Sequence, residues 1–447
     1  MIKYFSFLFI AFIGLGAVAQ NSKSIKKNSK PNIIFILADD LGIGNISCYG
    51  SDNFKTPNID LLAKNGIQFK NAYTAPLCGP SRALLMTGRY AFRTGAMNQD
   101  KTGLMKPSEE TMVPKVLKAA GYVTTSVGKW GQLPLDPSDF GYDDYLRFKG
   151  SGVYTSSDAQ KLTHYSINGK DNVLKIGEYM PDLMHDHLVE FISANKDKPF
   201  FAYYPMVHVH GDIIATPDSK PDSKDLFTDN IVYMDKMVGK LMHVLDSMHL
   251  RENTLVFFMG DNGTAAEPNP RSTINGKQLS GKKGEMKECG SLVPTIANWP
   301  GKIKGGQIST QLIDGSDFLP TFTEIAGAKL PDSTILDGRS FAPNLFGKKG
   351  NPRDWIFMEL GSDWYAREAK WKLNRAGELL DMSNAPFEEP VLAIDKQNEE
   401  AMAAKLRLQA VLESLDPESG KMDDGDGTGR HKNKEKKKKA KKEKSEN

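Results

Sequence analysis

Four short apolar runs in this 447-residue chain end in side chains that could do chemistry together. Residues 33–38 end in Asp39-Asp40, and residues 255–259 end in Gly260-Asp261-Asn262-Gly263. Residues 123–127 deliver Gly128-Lys129-Trp130, and residues 200–204 lead to His208 and His210. Adjacent carboxylates repel unless a cation or protons compensate. Asp39, Asp40, Asp261 and Asn262 offer oxygen donors only, three of them anionic, which suits a hard divalent ion, Ca²⁺ or Mg²⁺. Zinc would call for His or Cys ligands as well, and the histidines here are not at zinc spacing. A fifth feature is Cys78 in Leu77-Cys78-Gly79-Pro80-Ser81-Arg82, where Pro80 and Ser81 suit a helix start. Cys78 would then lie at the positive end of that helix, where nucleophiles and anions are stabilised. Taken singly, an Asp pair after a strand reads as a turn or cap and Cys78 as a packed thiol. Their convergence points to a site.

Such convergence needs a scaffold. Apolar runs of strand length alternate with helical patterns at 111–120 and 227–248, the mark of an α/β fold whose sites form beyond the carboxyl ends of its strands. After Gly338 the pattern changes: residues 355–360, 364–374 and 378–381 read as antiparallel strands and 397–415 as a surface helix. The expected layout is a signal peptide over 1–19, a linker over 20–30, a catalytic domain over 31–340, a small α+β subdomain over 341–416, and a basic low-complexity tail over 417–447. Residues 1–19 combine Lys3, an apolar run too short for a bilayer and Ala17-Val18-Ala19, so export to the periplasm or medium is expected, without stable membrane insertion. Residues 430–447 carry +7 and the body 31–429 carries −9, so nucleic acid is not an expected partner. The tail reads as a solvated segment rather than a calcium loop, although Asp424, Asp426 and Glu435 have calcium-loop spacing. Three cysteines cannot form a disulfide framework; Cys48 reads as a packed thiol or a partner for Cys289. Oligomeric state is not legible.

Cys78-x-Pro80-Ser81-Arg82 followed by Leu85-x-Thr87-Gly88-Arg89 resembles the signature of the type I sulfatases, the arylsulfatase-like branch of the alkaline phosphatase superfamily. The resemblance runs from about Pro31 to about Met382 and includes Asp39-Asp40-Leu41-Gly42, Gly128-Lys129-Trp130, Gly260-Asp261-Asn262-Gly263, Lys283-Gly284 and Val293-Pro294. It implies a large mixed sheet flanked by helices. It also implies that a maturation enzyme oxidises Cys78 to formylglycine, whose hydrate is the nucleophile. Asp39, Asp40, Asp261 and Asn262 match the calcium ligands, joined by the oxygen at residue 78. Arg82 matches the arginine that supports formylglycine, and Lys129 and Lys283 match the two sulfate-holding lysines. His210 best fits the histidine that protonates the leaving group, with His208 as competitor. Asp261 is expected to accept a proton from the metal-acidified hydrate. The implied reaction is hydrolysis of a sulfate monoester, and export suits sulfated glycans as substrates.

Two departures stand out. Where the family reads Gly-Lys-Trp-His, this chain has Gly131, which removes the imidazole associated with breakdown of the sulfated intermediate; Gln132 cannot replace it, and His208 or His164 are the candidates. After Lys283 the chain reads Gly284-Glu285-Met286, and Leu292 stands where an Arg is common, expected at the pocket wall. The rivals are a sulfated-glycan-binding relative with impaired turnover and a phosphoester hydrolase of the same superfamily, which would need two zinc ions held by several histidines.

Overall fold

The computed structural model describes residues 30–422 apart from 132–134, 158–161 and 212. The expected signal peptide, most of the linker, Gln132 and residues 423–447 of the tail lie outside the described residues. In chain order the strands begin with β1 (Asn32–Ala38), β2 (Ile67–Tyr73), β3 (Val123–Gly128), β4 (Asp144–Phe148) and β5 (Thr163–Ile167). There follow β6 (Lys170–Leu174), β7 (Phe200–Pro205), β8 (Thr254–Gly260), a small ribbon of β9 (Thr273–Ile274) and β10 (Lys277–Gln278), then β11 (Thr295–Asn298) and β12 (Gln307–Asp314). Apart from the ribbon, they form one sheet in the order β12-β2-β11-β8-β1-β7-β3-β4-β5-β6. Its centre, β8-β1-β7-β3-β4, is parallel. β11 runs antiparallel between β2 and β8, and β5 runs antiparallel to both β4 and β6.

Burial on both faces explains the unbroken apolar runs of β1, β7 and β8. Ile34 and Ile36 point into one core and Ile33, Phe35 and Leu37 into the other. The first core is closed by helices Met180–Asn195 and Leu226–Ser247, the second by Cys78–Thr87, Val113–Ala119 and Phe318–Ile325. Leu226–Ser247 begins where Asp225 accepts from Thr228 N (3.1 Å), and it buries Ile231, Met234, Met237, Val238, Leu241 and Leu245 at helical period. The helix expected over 111–120 starts only at Val113, because Pro114 fits no later than the first turn.

Strands β13 (Ile356–Leu360), β14 (Asp363–Arg367), β15 (Trp371–Asn374) and β16 (Leu379–Asp381) form the expected separate antiparallel sheet. The single strand read over 364–374 is two: the polar Glu368-Ala369-Lys370 turns the chain so that Arg367 faces Lys372. Helix Glu399–Leu415, capped by Asn398, lays Ala401, Ala404 and Leu408 on Trp371, Leu373 and Leu379. All three cysteines are free, so Cys48 and Cys289 do not pair.

Glu359 of β13 joins this sheet to the main body. Its Oε1 accepts from Phe92 N (2.8 Å), whereas its buried Oε2 has no partner among the described residues. Burial pushes the carboxyl up to about 8 despite that bond. A group whose folded pKa is raised favours folding most at low pH and loses that contribution as pH climbs from the ordinary carboxylate range to about 8. Glu359→Gln keeps the acceptor and removes the titration. The stability of the variant relative to the native chain should therefore rise from pH 5 to pH 8 by up to ~1.4 kcal/mol per unit, then level off. Urea unfolding of both proteins across that range checks it; a pH-independent difference would refute it.

Candidate active site

The parallel register of β1 with β8 pairs Ala38 with Gly260, so the two chains leave the sheet side by side. Backbone bonds prolong the ladder: Asp261 N donates to Ala38 O (2.9 Å), Asp39 N to His208 O (2.7 Å), and Lys129 N to Pro205 O (2.9 Å). The ends of β1, β8, β3 and β7 thus meet, as the sequence pattern predicts. Asp39, Asp40, Asp261, Asn262 and Lys129 are buried there. Carboxylate oxygens of Asp39, Asp40 and Asp261 all lie within 4.8 Å of one another, and Cys78 Sγ, Asp39 and His210 form an overlapping group of the same span.

Three cations answer three carboxylates. Arg82 donates through Nη2 (2.7 Å) and Nε (3.2 Å) to Asp261 Oδ2 and through Nη1 to Lys129 O (2.6 Å). Lys129 Nζ lies 2.5 Å from Asp39 Oδ2, and Lys283 Nζ lies 2.7 Å from Asp40. His210 Nε2 is 3.7 Å from Asp40. Burial would raise the Asp39 carboxyl, but Lys129, His210, Arg82 and Lys283 outweigh it and hold the group far below the usual range. Asp261 moves the other way, raised by burial and by the Asp39 charge against Arg82 and Lys129. Burial alone would lower Lys129 and Lys283; the facing carboxylates reverse that. Burial raises the Cys78 thiol and pushes His210 down to about 4.

The donor set fits a hard cation. Asp39 Oδ1 and Asn262 Oδ1 are buried without a hydrogen-bond partner among the described residues, although Asn262 Nδ2 donates to Asp40 Oδ1 (2.9 Å). Buried oxygens so placed are costly unless something electropositive meets them. Asp261 spends both oxygens inside the protein, Oδ2 on Arg82 and Oδ1 on Asp40 N (3.0 Å).

Cys78 is the first residue of its helix, not the residue before it: Ser81 N already donates to Leu77 O (3.0 Å), and Pro80 falls in the first turn, where no amide is needed. Of the two histidines after β7, His210 belongs to the cluster. His208 is fully buried, with Nε2 3.2 Å from the Tyr179 hydroxyl among the rings of Tyr154, Tyr179 and Tyr233. His164 sits exposed on β5, near the far edge of the sheet. Neither is placed to replace the imidazole missing at 131. Gly131 itself has φ +99°, and a Cβ there would stand 3.1 Å from Arg82 Cδ, so a side chain at this position is strained. Leu292 is not at the pocket wall: it packs in the core and lines a separate cavity of about 320 Å³ beneath the small sheet, with Glu288 and Arg367. Its apolar side chain is what that buried place accepts. Sequence reasoning missed Gln99, whose Oε1 is 3.3 Å from Cys78 Sγ; a lone Gln in a loop carries no spacing signal.

Residues 31–328 match the family described as Sulfatase. The chain belongs to the sulfatase family. It is 33% identical over 344 residues to human N-acetylgalactosamine-6-sulfatase, a match covering 70% of this chain and 66% of that one. Against human arylsulfatase A it is 34% identical over 363 residues, covering 73% and 70%. Among solved structures, Ps i-CgsB in complex with k-i-k-neocarrahexaose is 28% identical with a TM-score of 0.75, covering 87% of this chain and 93% of that one. The curated relatives are, by name, sulfatases.

Arg82 and Asp261 form a fully buried ion pair. Arg82→Met should cost about 3–5 kcal/mol in urea unfolding, because it strands buried Asp261 without its partner. A loss below about 1 kcal/mol would mean that the pair is not desolvated.

Proposed function

We propose that this chain is an exported sulfatase acting on sulfate monoesters of sulfated glycans, with a formylglycine made from Cys78 by a maturation enzyme and one calcium ion. The observation that carries the reading is the buried, oxygen-only cluster of Asp39, Asp40, Asp261 and Asn262 against Cys78, with two oxygens inside it that accept no hydrogen bond among the described residues. Those four residues, with residue 78, would hold the ion. Formylglycine would supply the activated nucleophile, and calcium would acidify it and neutralise sulfate charge.

The remaining chemistry belongs to side chains in place. Lys129 and Lys283 reach Asp39 and Asp40 of the same cluster and would bind the sulfate oxygens. Arg82 fixes Asp261 and, through Lys129 O, the strand end that presents Lys129. His210 would protonate the departing oxygen. Its backbone carbonyl accepts from the Tyr154 hydroxyl (3.0 Å), which fixes the ring's point of attachment. Its depressed pKa keeps the imidazole neutral in this arrangement, and the negative charge of a bound sulfate would raise it toward the acid form.

Beside His210 opens a cavity of about 520 Å³ lined by Val209, Ile213, Lys224, Phe227, Glu267 and Arg271. An apolar floor with a charged rim suits the alcohol part of a sulfated sugar. The oligosaccharide bound in the Ps i-CgsB crystal supports a glycan substrate. Export rests on residues 1–19, and periplasm or medium is where polymeric sulfate esters are met. Gly131, at a φ of +99° that suits no side chain, supplies no imidazole, and this favours one second reading, a relative that binds sulfated glycan and turns it over poorly.

Peptide mass analysis across Cys78 and free-sulfate release from a panel of sulfated oligosaccharides test the proposal. Formylglycine with sulfate release is expected. An unmodified thiol in protein from the native host would overturn the enzyme reading, and formylglycine with binding but no release would favour the second one. Calcium added to the purified chain should stabilise it by about 2.7 kcal/mol at a hundredfold excess over Kd. Asp39→Asn should lose most of that shift in thermal unfolding; a shift produced equally in the variant would remove calcium from the cluster.

A further inference from the structure

With Gly131 in place of the family's imidazole, and His164 and His208 placed elsewhere, the contact that Cys78 makes with Gln99 gains weight. Gln99 reaches it from the connection after helix Ala91–Thr94. Its Oε1 accepts from Gly79 N (3.0 Å) and lies 3.3 Å from Cys78 Sγ. A backbone amide can only donate, so the Gly79 N–H settles which way the carboxamide is turned: oxygen toward residue 78, amino group away. The group carried by residue 78 on that side must therefore be a donor.

The arrangement is built from both strands of contact. Asn98 Oδ1 accepts from Asp100 N (3.0 Å) and Lys101 N (2.9 Å), and Thr102 Oγ1 donates to Asn98 O (2.7 Å), which pins the turn bearing Gln99. Gly79 gives the carboxamide its room, because a Cβ there would stand 2.8 Å from Gln99 Oε1 and 2.7 Å from Thr102 Oγ1. The donor atoms of Asp39 and His210 lie within 4.8 Å of Sγ as well.

We infer that Gln99 is a positioning residue that holds a hydroxyl on the β-carbon of residue 78 as a hydrogen-bond donor. The inference rests on the formylglycine reading above and deepens it. Two geminal oxygens would then have distinct places, one facing the cation ligands and one facing Gln99. A neutral carboxamide cannot take a proton. Gln99 therefore sets the direction of that hydroxyl and favours the hydrate over the free aldehyde, while any proton leaving it goes to another group.

The test compares the matured native enzyme with Gln99→Met, which keeps length but removes the acceptor, and Gln99→Glu, which keeps an acceptor toward Gly79 N. Formylglycine content is measured first by peptide mass. A hydrazide probe, which reacts with free aldehyde, should label Gln99→Met about five- to tenfold faster than the native enzyme, the size expected for one lost hydrogen bond. Gln99→Glu should stay near the native rate. On a sulfated oligosaccharide that the native enzyme cleaves, Gln99→Met should lower kcat about tenfold while KM moves less than about twofold. Equal labelling of native enzyme and Gln99→Met at equal formylglycine content would overturn the inference. If Gln99→Met folds poorly, Gly79→Ala serves, because it displaces the carboxamide; it should accelerate labelling, and an unchanged rate overturns the inference too. Absence of formylglycine from the native enzyme would sink the functional reading and this inference together, before any variant is compared.

Discussion

Three carboxylates forced into one dry corner are the constraint around which the rest of this chain is arranged. The in-register pairing of Ala38 with Gly260 brings Asp39 and Asp261 out of the sheet as neighbours, both fully buried, and Asp40 follows at once. Water cannot screen them, so their repulsion has to be met by charges that the fold delivers. Arg82 comes from the helix after β2, Lys129 from the end of β3 and Lys283 from a loop after β10. Three distant stretches of chain thus converge for an electrostatic reason. Even so, Asp39 Oδ1 and Asn262 Oδ1 accept no hydrogen bond among the described residues, Asp39 Oδ1 having only Arg82 Nη2 at 3.6 Å, and that unmet demand is why the cluster reads as a cation site rather than a salt-bridge network.

Much of this is legible in the amino-acid sequence. Double burial makes β1, β7 and β8 unbroken apolar runs, and such runs announce their own carboxyl ends; the residues just past those ends then form the site. The donor types of Asp39, Asp40, Asp261 and Asn262 already point to a hard ion. One sheet edge is less visible: β5 and β6 mix buried and exposed positions, and no apolar run marks them. The break at Glu368-Ala369-Lys370 is hidden because β14 and β15 both carry large apolar residues, Trp364 and Tyr365 in one and Trp371 and Leu373 in the other, and only three residues separate them. Side-chain assignments that depend on direction are out of reach altogether. His208 and His210 differ by two positions and by everything else, one packed among tyrosine rings, the other beside Asp40. Gln99 is invisible for the same reason.

The small antiparallel sheet places no side chain in the carboxylate cluster, yet the site depends on it. Lys283 rides on a loop fixed at two points by its own backbone, Lys283 N to Thr264 O (3.0 Å) and Gly284 N to Pro76 O (2.7 Å). The continuation of that loop, helix Glu288–Ser291, is gripped from the small sheet. Glu288 pairs with Arg367 of β14 (2.9 Å) and accepts from the Tyr73 hydroxyl (2.7 Å). Glu389 accepts from Glu288 N (2.8 Å) and Ser280 Oγ (2.8 Å) while bonded to Lys372 of β15. These groups are almost wholly buried, so removing one partner would strand a charge and release the loop. In the proposed reaction Lys283 would leave Asp40 to meet a sulfate, which calls for a mobile head on a fixed stem. The grip of β14 and β15 supplies the fixed stem, and this explains why a sheet without a catalytic group is carried by the same chain.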